Sequence, residues 1–451
     1  MPKRFLSGAA LLLALLCSGA AHSANFQPCD DAGTQPALAG SLCAREAAPL
    51  SHAAPGGEQL SLFIRKLPAH GPSKGTVWLI AGGPGESGAS FYPFIERLRR
   101  SFPGYDLMAP DHRGTGLSSR LCPAEEAAGS PGGMALAGAE WSSCFAQLNA
   151  QPGRAREFTI TNAAHDLRRL ILRHRDGKPV YVYGVSYGTQ LVLRALQIGE
   201  LPVKGLVLDS LVPLETAERW DLSRRSLVTD DVGRQVLARC DADPRCAAVA
   251  QEAVEPLYRR VLAAHQPGKE GSLPRLMGRL LDVPEQRARI PHLLRDLDAG
   301  KGEELARVTA GLLDAGAALG GYPQSPPSIP LVGIISGSEN NLRPGLSAAA
   351  LKAEEDPLLF SSPLPGLLLQ SGLPLYPRDA WFGGHPAWLP PTLVLHGTLD
   401  PKTHFEGAME HVAALRQAGK VTLAEVADAP HFILWTAPGA FERQVRAFVA
   451  D

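Results

Sequence analysis

Short apolar runs alternate with amphipathic stretches over the first half of the chain. Apolar positions recur at helical spacing over 161–174, where Ala164, Leu167 and Leu170 share one face. The runs predict strands at residues 59–67, 76–80, 105–109, 180–184 and 205–209. Strands that alternate with helices are typical of a doubly wound, mostly parallel sheet.

The pattern changes after Pro213. Helical stretches follow at 234–240, 247–265 and 303–319. Segments rich in proline and glycine separate them, and no strand alternates with them. Apolar runs at 392–396 and 420–426 then restore the strand pattern. We predict an α/β protein whose sheet domain carries an inserted helical cap. Its segments are a first core part at 58–212, the cap at 213–390 and a second core part at 391–451.

The first 24 residues have the pattern of an export signal. Lys3 and Arg4 precede an apolar core at 6–17, which is too short to span a bilayer. Small residues follow, and cleavage after Ala21 or Ala24 fits them. A signal peptide at 1–24 predicts a secreted or periplasmic protein, with no membrane contact after cleavage.

Six cysteines remain once the signal, with Cys17, is removed. An even number in an exported protein predicts three disulfides, and clustering along the chain favours local pairs. A zinc site is the competing interpretation, although no Cys-x-x-Cys occurs. The polar segment 25–57 shows no periodicity and is predicted to be an irregular strap held by its own disulfide. The favoured pairs are Cys29 with Cys43, Cys122 with Cys144, and Cys240 with Cys246.

Composition and charge exclude some classes of function. The chain has 451 residues, a formal net charge of −1 and 20% charged residues, so it lacks the basic surface of a nucleic-acid-binding protein. Its glycine-rich stretch 81–88 lacks the Lys-Ser/Thr of a phosphate-binding loop. We expect no cofactor and no metal, while the oligomeric state is left open.

The chemistry centres on Gly184-Val185-Ser186-Tyr187-Gly188. A predicted strand runs into this Gly-x-Ser-x-Gly and a helical pattern starts directly after it, which is the context of a nucleophile elbow. Glycines flank the serine because the sharp turn brings strand and helix close together. We predict an exposed Ser186 hydroxyl, with the Tyr187 N–H facing an oxyanion.

A serine nucleophile needs two further groups. An imidazole must accept its proton, and a carboxylate must orient that imidazole. Asp400 follows the predicted strand 392–396, and His431 follows the strand 420–426. Both therefore belong at the sheet edge that carries Ser186. We predict Asp400 as the orienting acid and His431 as the general base.

Other acids and histidines compete for these roles. Asp209 ends a predicted strand and is the main alternative acid, while Asp428 lies inside the loop of His431. His396 falls within a strand, where a core histidine is expected. The remaining two candidates fall on the helix after the acid loop, where exposed histidines are common: His404 and His411.

The loop 81–88 follows a strand and is expected beside Ser186. Such a loop supplies a second oxyanion N–H, here from Gly83, in addition to that of Tyr187. The stretch 111–118, Asp-His-Arg-Gly-Thr-Gly-Leu-Ser, is predicted to be structural. Its Asp and Arg would hold a tight turn near the site.

Four motifs in this order resemble one branch of the α/β-hydrolases. They are Gly-Gly-Pro-Gly at 82–85, Asp-His-Arg-Gly-Thr-Gly at 111–116, Gly-Val-Ser-Tyr-Gly-Thr at 184–189 and Gly-Thr-Leu-Asp-Pro at 397–401. The chain is similar to proline iminopeptidases, and more so to the secreted, TAP-like tripeptidyl aminopeptidases. The resemblance covers 76–212 and 391–451 well and the cap poorly.

The resemblance implies the α/β-hydrolase fold, with Ser186 as nucleophile, Asp400 as acid and His431 as base. It also implies removal of one or a few residues from a peptide's free N-terminus. Two positions depart from the family pattern: Ala81 stands where histidine often precedes the glycines, and His404 stands where proline is frequent. The acids that would bind the substrate's α-ammonium cannot be aligned, and the candidates are Glu86, Glu215, Glu218 and Asp221.

Three functions are compatible with the sequence. The leading hypothesis is a secreted or periplasmic serine exopeptidase that releases residues from peptide N-termini through an acyl-enzyme. An esterase or amidase acting on small acyl substrates would use the same groups, because the cap selects the substrate. A non-catalytic binding protein is the third, and a complete triad beside an oxyanion loop argues against it.

Overall fold

A nine-stranded sheet forms the centre of the structure. The computed structural model describes residues 26–265, 271–370 and 372–450, so the predicted signal peptide at 1–24 and its cleavage site lie outside the described residues. The strands are β1 (Gln27–Pro28), β2 (Leu42–Pro49), β3 (Gln59–Leu67), β4 (Thr76–Ile80), β5 (Asp106–Asp111), β6 (Val180–Val185), β7 (Gly205–Asp209), β8 (Thr392–Gly397) and β9 (Val421–Val426).

The strand order is β1-β2-β3-β5-β4-β6-β7-β8-β9. Pairing is parallel from β5 to β9, and β1, β2 and β3 extend the sheet antiparallel at the β5 edge. Ile80 at the end of β4 lies level with Gly184 of β6. The loops that follow these two strands therefore meet at one edge of the sheet. The predicted fold class, a mostly parallel α/β-hydrolase sheet, is confirmed.

The N-terminal segment differs from the predicted irregular strap. β2 is eight residues long and pairs with β3 along its whole length. Its inward positions include Ala44, Glu46 and Ala48, so small and charged residues hide the alternation that marks a strand. Glu46 is buried because it is paired with Arg173 and His174.

Helices cover both faces of the sheet and fill the segment between β7 and β8. The α-helices of the described residues are α1 (Ile95–Ser101), α2 (Glu140–Ala150), α3 (Pro152–Ala155), α4 (Ile160–His174), α5 (Tyr187–Ile198), α6 (Arg225–Ala242), α7 (Pro244–Ala250), α8 (Val254–Ala264), α9 (Leu273–Leu280), α10 (Pro284–Arg287), α11 (Ile290–Asp298), α12 (Glu303–Leu319), α13 (Ile329–Glu339), α14 (Ala348–Glu355), α15 (Leu364–Gln370), α16 (Phe405–Leu415), α17 (Ile433–Thr436) and α18 (Pro438–Ala450). The helix predicted over 247–265 is divided into α7 and α8, because Gln251 takes a left-handed φ of 62° that ends α7.

Each face of the sheet has its own apolar core. β6 shows the division, since its side chains alternate between the two faces. Val180 and Val182 join the core beneath α4 and α5. Tyr181 and Tyr183 join the core beneath α1 and α18. A strand covered on both faces is rigid, and β6 carries the nucleophile candidate at its end.

The cap has a third core of its own. Helices α6, α8, α9, α11 and α12 contribute apolar side chains to it, and Leu399 from the loop after β8 is part of the same cluster. The cap is thereby packed onto the loop that carries Asp400. We propose 213–390 as the extent of this cap.

The six cysteines of the described residues pair within their own neighbourhoods. Cys29 bonds Cys43, Cys122 bonds Cys144 and Cys240 bonds Cys246, with Cα–Cα distances of 5.0, 5.5 and 5.1 Å. These are the pairs that the clustering favours. Every helix in the described part of the chain is too short or too polar to cross a membrane.

We expect the purified protein to contain no free thiol after export. Thiol titration under denaturing, non-reducing conditions checks this, and two or more free thiols per chain would contradict it. Replacing Cys122 and Cys144 together by alanine should lower the free energy of unfolding by about 2–4 kcal/mol, because the unfolded chain loses a cross-link. Equilibrium denaturation of both proteins measures the difference.

Candidate active site

Ser186 lies at a strained turn between β6 and α5. β6 ends at Val185 and α5 begins at Tyr187, so the serine is the single residue between them. Its φ of 54° and ψ of −125° are a combination that residues with side chains rarely adopt. Its N–H donates to the Asp209 carbonyl oxygen at 2.9 Å, which holds the turn beside β7. This is the geometry of a nucleophile elbow.

Both flanking glycines are required by close contacts. A Cβ at Gly188 would lie 2.3 Å from the Ile80 carbonyl oxygen. A Cβ at Gly184 would lie 2.8 Å from the Gly188 carbonyl oxygen. Any larger residue would therefore push α5 away from β4 and β6, and Ser186 with it.

His431 and Asp400 form a hydrogen-bonded pair. His431 Nδ1 lies 2.7 Å from Asp400 Oδ2, and the carboxylate is completely buried. Asp400 also accepts the N–H groups of Lys402 and Thr403, each at 2.8 Å, and the Thr403 hydroxyl at 2.8 Å. With Nδ1 held in this way, Nε2 of His431 is the ring nitrogen left to face a serine hydroxyl.

The surroundings of Asp400 keep it ionised. Burial alone would raise the pKa of Asp400. The charge and hydrogen bond of His431, the nearby His396 and the Thr403 N–H outweigh burial and hold this pKa well below its usual range. A carboxylate that stays charged fixes the tautomer of its histidine and stabilises the imidazolium.

Asp209, the alternative acid, has a different role. Its carboxylate accepts the N–H groups of Ile433 and Leu434, at 2.9 and 3.0 Å, and the Tyr183 hydroxyl at 2.9 Å. Ser210 Oγ accepts the Phe432 N–H at 2.8 Å. The end of β7 thus holds the loop that follows His431, and Asp209 contacts the backbone of that loop.

The other candidates also have their own partners. His396 is buried, and its Nε2 lies 2.6 Å from the Thr403 carbonyl oxygen. His404 stacks on Trp220 with ring centroids 4.4 Å apart. The expectation that His404 and His411 are exposed is wrong, because cap and core elements cover both rings. Asp428 is exposed and pairs with a cap arginine, Arg239.

The glycine-rich loop lies against the nucleophile candidate. A Cβ at Gly82 would be 3.2 Å from Ser186 Cβ. Gly83 takes a φ of 109°, and a Cβ there would be 2.3 Å from the Gly85 nitrogen, so only glycine fits. Gly83 and Tyr187 both line the cavity that contains Ser186. Their N–H groups remain our proposal for the oxyanion site.

The stretch 111–118 holds this loop in place. The buried Asp111 carboxylate accepts the Gly88 N–H at 2.8 Å and the Leu117 N–H at 2.7 Å. Arg113 makes two bonds to Asp166, at 2.7 and 2.9 Å. Asp111 therefore holds the tight turn and the glycine-rich loop together, and Arg113 anchors the turn to α4.

A cavity of about 550 Å³ contains Ser186, His431 and both oxyanion candidates. The sheet edge forms its floor, and the cap forms its roof with Leu222, Leu319, Pro326, Val332 and Leu364. The cap also touches the glycine-rich loop, because the Ser328 N–H donates to the Gly85 carbonyl oxygen at 2.9 Å. A substrate that reaches Ser186 must therefore fit beneath the cap.

Glu86 is the candidate acid nearest the chemistry. It lines the cavity, and its carboxylate reaches Gly82 beside the nucleophile. Burial raises the pKa of Glu86, against the opposing influence of Lys402, His431 and the Gly82 backbone. A cation placed beside it would restore the charged form.

The three other candidate acids differ in position. Glu215 lines the cavity but accepts bonds from Arg194 and Gln190 at 2.8 and 2.7 Å. Asp221 also lines it, and its oxygens accept the Ser223 and Leu342 N–H groups. Glu218 is exposed and lines a separate surface depression, so the structure does not bring it to the cavity.

Sequence reasoning missed several charged groups around the site. Arg225, Asp282 and Lys402 line the cavity. Glu339 is buried, with Oε2 3.6 Å from Arg194. Only Lys402 had a signal, since it follows the Asp-Pro of the acid motif. The others are isolated residues in the cap, where no motif marks them.

The described residues contain no group of three or more His, Cys, Asp or Glu side chains that could hold a metal ion.

Comparison with known proteins identifies the family of the chain. The family model described as the alpha/beta hydrolase fold matches residues 75–438. The chain belongs to this hydrolase family. The match spans both core parts and the cap between them.

One group of curated relatives is similar over a shorter region. Serine protease Hip1 of Mycobacterium tuberculosis, like that of Mycobacterium bovis, is 28% identical over 205 residues. The match covers 42% of this chain and 39% of that protein, so the chain spans about two fifths of the length of these relatives. The name of the relative describes a serine protease.

Solved structures give a more distant likeness. A bromoperoxidase from Bacillus anthracis is 15% identical, covers 90% of this chain and 100% of its own, and has a TM-score of 0.39. An esterase from Exiguobacterium antarcticum is 14% identical, covers 87% and 96%, and has a TM-score of 0.37.

Glu339 predicts a dependence of stability on pH. Burial raises its pKa to about 7, although Arg194 opposes the shift. A carboxyl group in the unfolded chain has a pKa near 4.3. Between about pH 4.3 and 7, Glu339 is therefore protonated in the folded state and ionised in the unfolded state. The contribution to stability is thus present at low pH and is lost as the pH rises through 7. From pH 4.5 to pH 8, the free energy of unfolding of Glu339→Gln should therefore rise by roughly 3 kcal/mol relative to that of the wild type.

Denaturant unfolding of both proteins at several pH values measures this change. The comparison uses only the change with pH, so any constant loss from the altered contact with Arg194 cancels. A difference between the two proteins that is the same at pH 4.5 and pH 8 would contradict the assignment.

Proposed function

We propose that this member of the hydrolase family is a secreted or periplasmic serine exopeptidase that releases one or a few residues from peptide N-termini. One observation carries the proposal: His431, which is held by the buried Asp400, lines the same cap-covered cavity as Ser186 on its strained turn. The relative named serine protease Hip1 supports peptide chemistry, and the motif resemblance to TAP-like aminopeptidases supports action at the N-terminus.

In the proposed mechanism Ser186 attacks the carbonyl carbon of the scissile peptide bond. His431 takes the hydroxyl proton as the bond forms, and Asp400 stabilises the imidazolium. The N–H groups of Tyr187 and Gly83 stabilise the oxyanion, where loss of one donor typically costs about 2.7–4 kcal/mol. His431 then gives its proton to the leaving amine, which leaves an acyl-enzyme. Water then attacks the acyl carbon while His431 takes its proton, and His431 returns that proton to Ser186 Oγ as the ester bond breaks and the acyl product leaves.

The cap supports an exopeptidase over an endopeptidase. A roof over the serine excludes a segment of a folded protein but admits the end of a peptide. The α-ammonium at that end needs a carboxylate, and Glu86 lines the cavity beside the nucleophile. Glu215 and Asp221 lie on the cavity wall with donors of their own. Glu86 is therefore our first candidate for the ammonium site.

Ser186→Ala should abolish turnover while the protein stays folded. Loss of the nucleophile of a comparable triad costs on the order of 10⁶ in turnover. A fluorophosphonate probe should label the wild type, with the adduct on Ser186 by peptide mapping. A folded alanine variant that keeps more than a tenth of wild-type activity would refute the assignment.

The exopeptidase proposal predicts strong selection for a free N-terminus. Truncating one partner of a buried charge pair costs about 2–5 kcal/mol, so a peptide arylamide should react at least tenfold faster than its N-acetylated twin at pH 7. The preference should shrink at pH 9, because an α-amino group loses its proton near pH 8. The measurement is kcat/KM for both substrates at both pH values.

Two variants locate the ammonium site in the same assay. Glu86→Gln should reduce the preference for the free N-terminus, since the variant removes the carboxylate beside the nucleophile. Glu218→Gln is the matched control, because it removes an acid outside the cavity and should leave the preference unchanged. Equal rates for the free and acetylated substrates in the wild type would remove the exopeptidase proposal and favour an esterase or amidase.

A further inference from the structure

Arg225 is the cavity residue that the proposed mechanism does not use. It is the first residue of α6, the first helix of the cap, and it lines the same cavity as Ser186 and His431. No hydrogen-bond or ion-pair partner of its guanidinium occurs among the described residues, which run from 26 to 450 apart from 266–270 and 371. Unpaired, half-buried arginines are unusual, because desolvation of the charge is costly.

The acids nearest to Arg225 are bound to other donors. Asp400 holds His431, Thr403 and the Lys402 N–H. Asp221 accepts the N–H groups of Ser223 and Leu342 and the Ser223 hydroxyl. These two carboxylates therefore act on Arg225 only through space.

Asp282 is the third acid near this guanidinium. Its Oδ2 lies 3.2 Å from Lys402 Nζ, and its Oδ1 is buried without a hydrogen-bond partner. If Arg225 had a purely structural role, Asp282 would be the carboxylate that it pairs with.

The helix itself gives no reason for a cation at this position. The first turn of a helix carries partial positive charge, so arginine there is electrostatically unfavourable for the helix. Burial lowers the pKa of Arg225, and the through-space influence of Asp400, Asp282 and Asp221 opposes this shift. Among the described residues no carboxylate bonds the guanidinium directly, and the guanidinium lines the cavity, so the cavity is open to a direct partner.

We propose that Arg225 binds a carboxylate of the substrate. A guanidinium matches a carboxylate with two parallel hydrogen bonds, and a site beneath a cap strengthens such a pair. The carboxylate comes from an acidic side chain in the bound peptide or from the free C-terminus of a short peptide. This inference rests on the proposed function for the identity of the substrate, but the anion site itself does not depend on peptide hydrolysis.

Binding to a full-length Ser186→Ala protein tests the site without turnover. Three dipeptides differ in a single carboxylate: Ala-Gln-amide, Ala-Glu-amide and Ala-Gln with a free C-terminus. We expect one of the two anionic peptides to bind at least tenfold more tightly than Ala-Gln-amide in calorimetric titration. Tighter binding of Ala-Glu-amide identifies a side-chain carboxylate, and tighter binding of free Ala-Gln identifies the C-terminus.

Arg225→Gln, added to this protein, should remove the preference and leave the Kd of Ala-Gln-amide unchanged. Arg224→Gln is the matched control, since Arg224 is the preceding residue in the chain and lines the outer depression instead of the cavity. It removes the same charge and should keep the preference. Equal Kd values for the three peptides, or a preference that survives Arg225→Gln, would overturn the inference.

A second substrate pair separates this inference from the proposed function. If no peptide arylamide is hydrolysed, the peptidase proposal fails, and 4-nitrophenyl hydrogen succinate can be compared with 4-nitrophenyl butyrate on the active enzyme. A tenfold preference for the succinate ester, lost in Arg225→Gln, would still support the anion site. Failure to bind or turn over any carboxylate probe in preference to its neutral partner would overturn it. If Arg225→Gln and Asp282→Asn destabilise the fold equally and no carboxylate probe is preferred, Arg225 has a structural role as the partner of Asp282.

Discussion

The site depends on the close approach of three backbones around Ser186. The turn lets β4, β6 and the start of α5 meet with no room for a side chain at Gly184 or Gly188. This contact holds the serine at a positive φ that the chain would not adopt by itself. The apolar cores on both faces of the sheet stabilise β6 and α5, and so they supply the free energy that maintains the strained turn.

The remaining groups are placed by hydrogen bonds between neighbouring loops at the same sheet edge. β7 ends at Asp209, and Asp209 and the following Ser210 hold the backbone after His431. The loop after β8 brings Asp400 to the ring of His431. Asp111 connects the glycine-rich loop to the next turn in the same way. Because each carboxylate is buried and paired, the edge is preorganised before any substrate arrives.

The cap encloses this edge of the hydrolase sheet in a cavity. Its core includes Leu399, which is adjacent to Asp400, so the cap and the loop that carries Asp400 are packed together. The cap also brings charges that the sheet lacks, among them Arg225 and Asp282 on the cavity wall. The charged groups on the cavity wall thus come from both parts of the chain: Glu86 and Lys402 from the core, and Arg225 and Asp282 from the cap.

The sequence by itself determined the parallel sheet and the strand–serine–helix turn, and it predicts the triad residues Ser186, Asp400 and His431. Each follows from a local pattern: an apolar run, and a polar residue where that run ends. Only the tertiary structure decided which acids face the cavity. Glu86 and Glu218 look alike in sequence, yet one lies beside the nucleophile and the other on the outer surface. β2 was missed because its inward position 46 is a glutamate, whose contacts with Arg173 and His174 come from a part of the chain far away in sequence. Burial and pairing of charges are set by contacts between distant segments, and the local periodicity of the sequence does not predict such contacts.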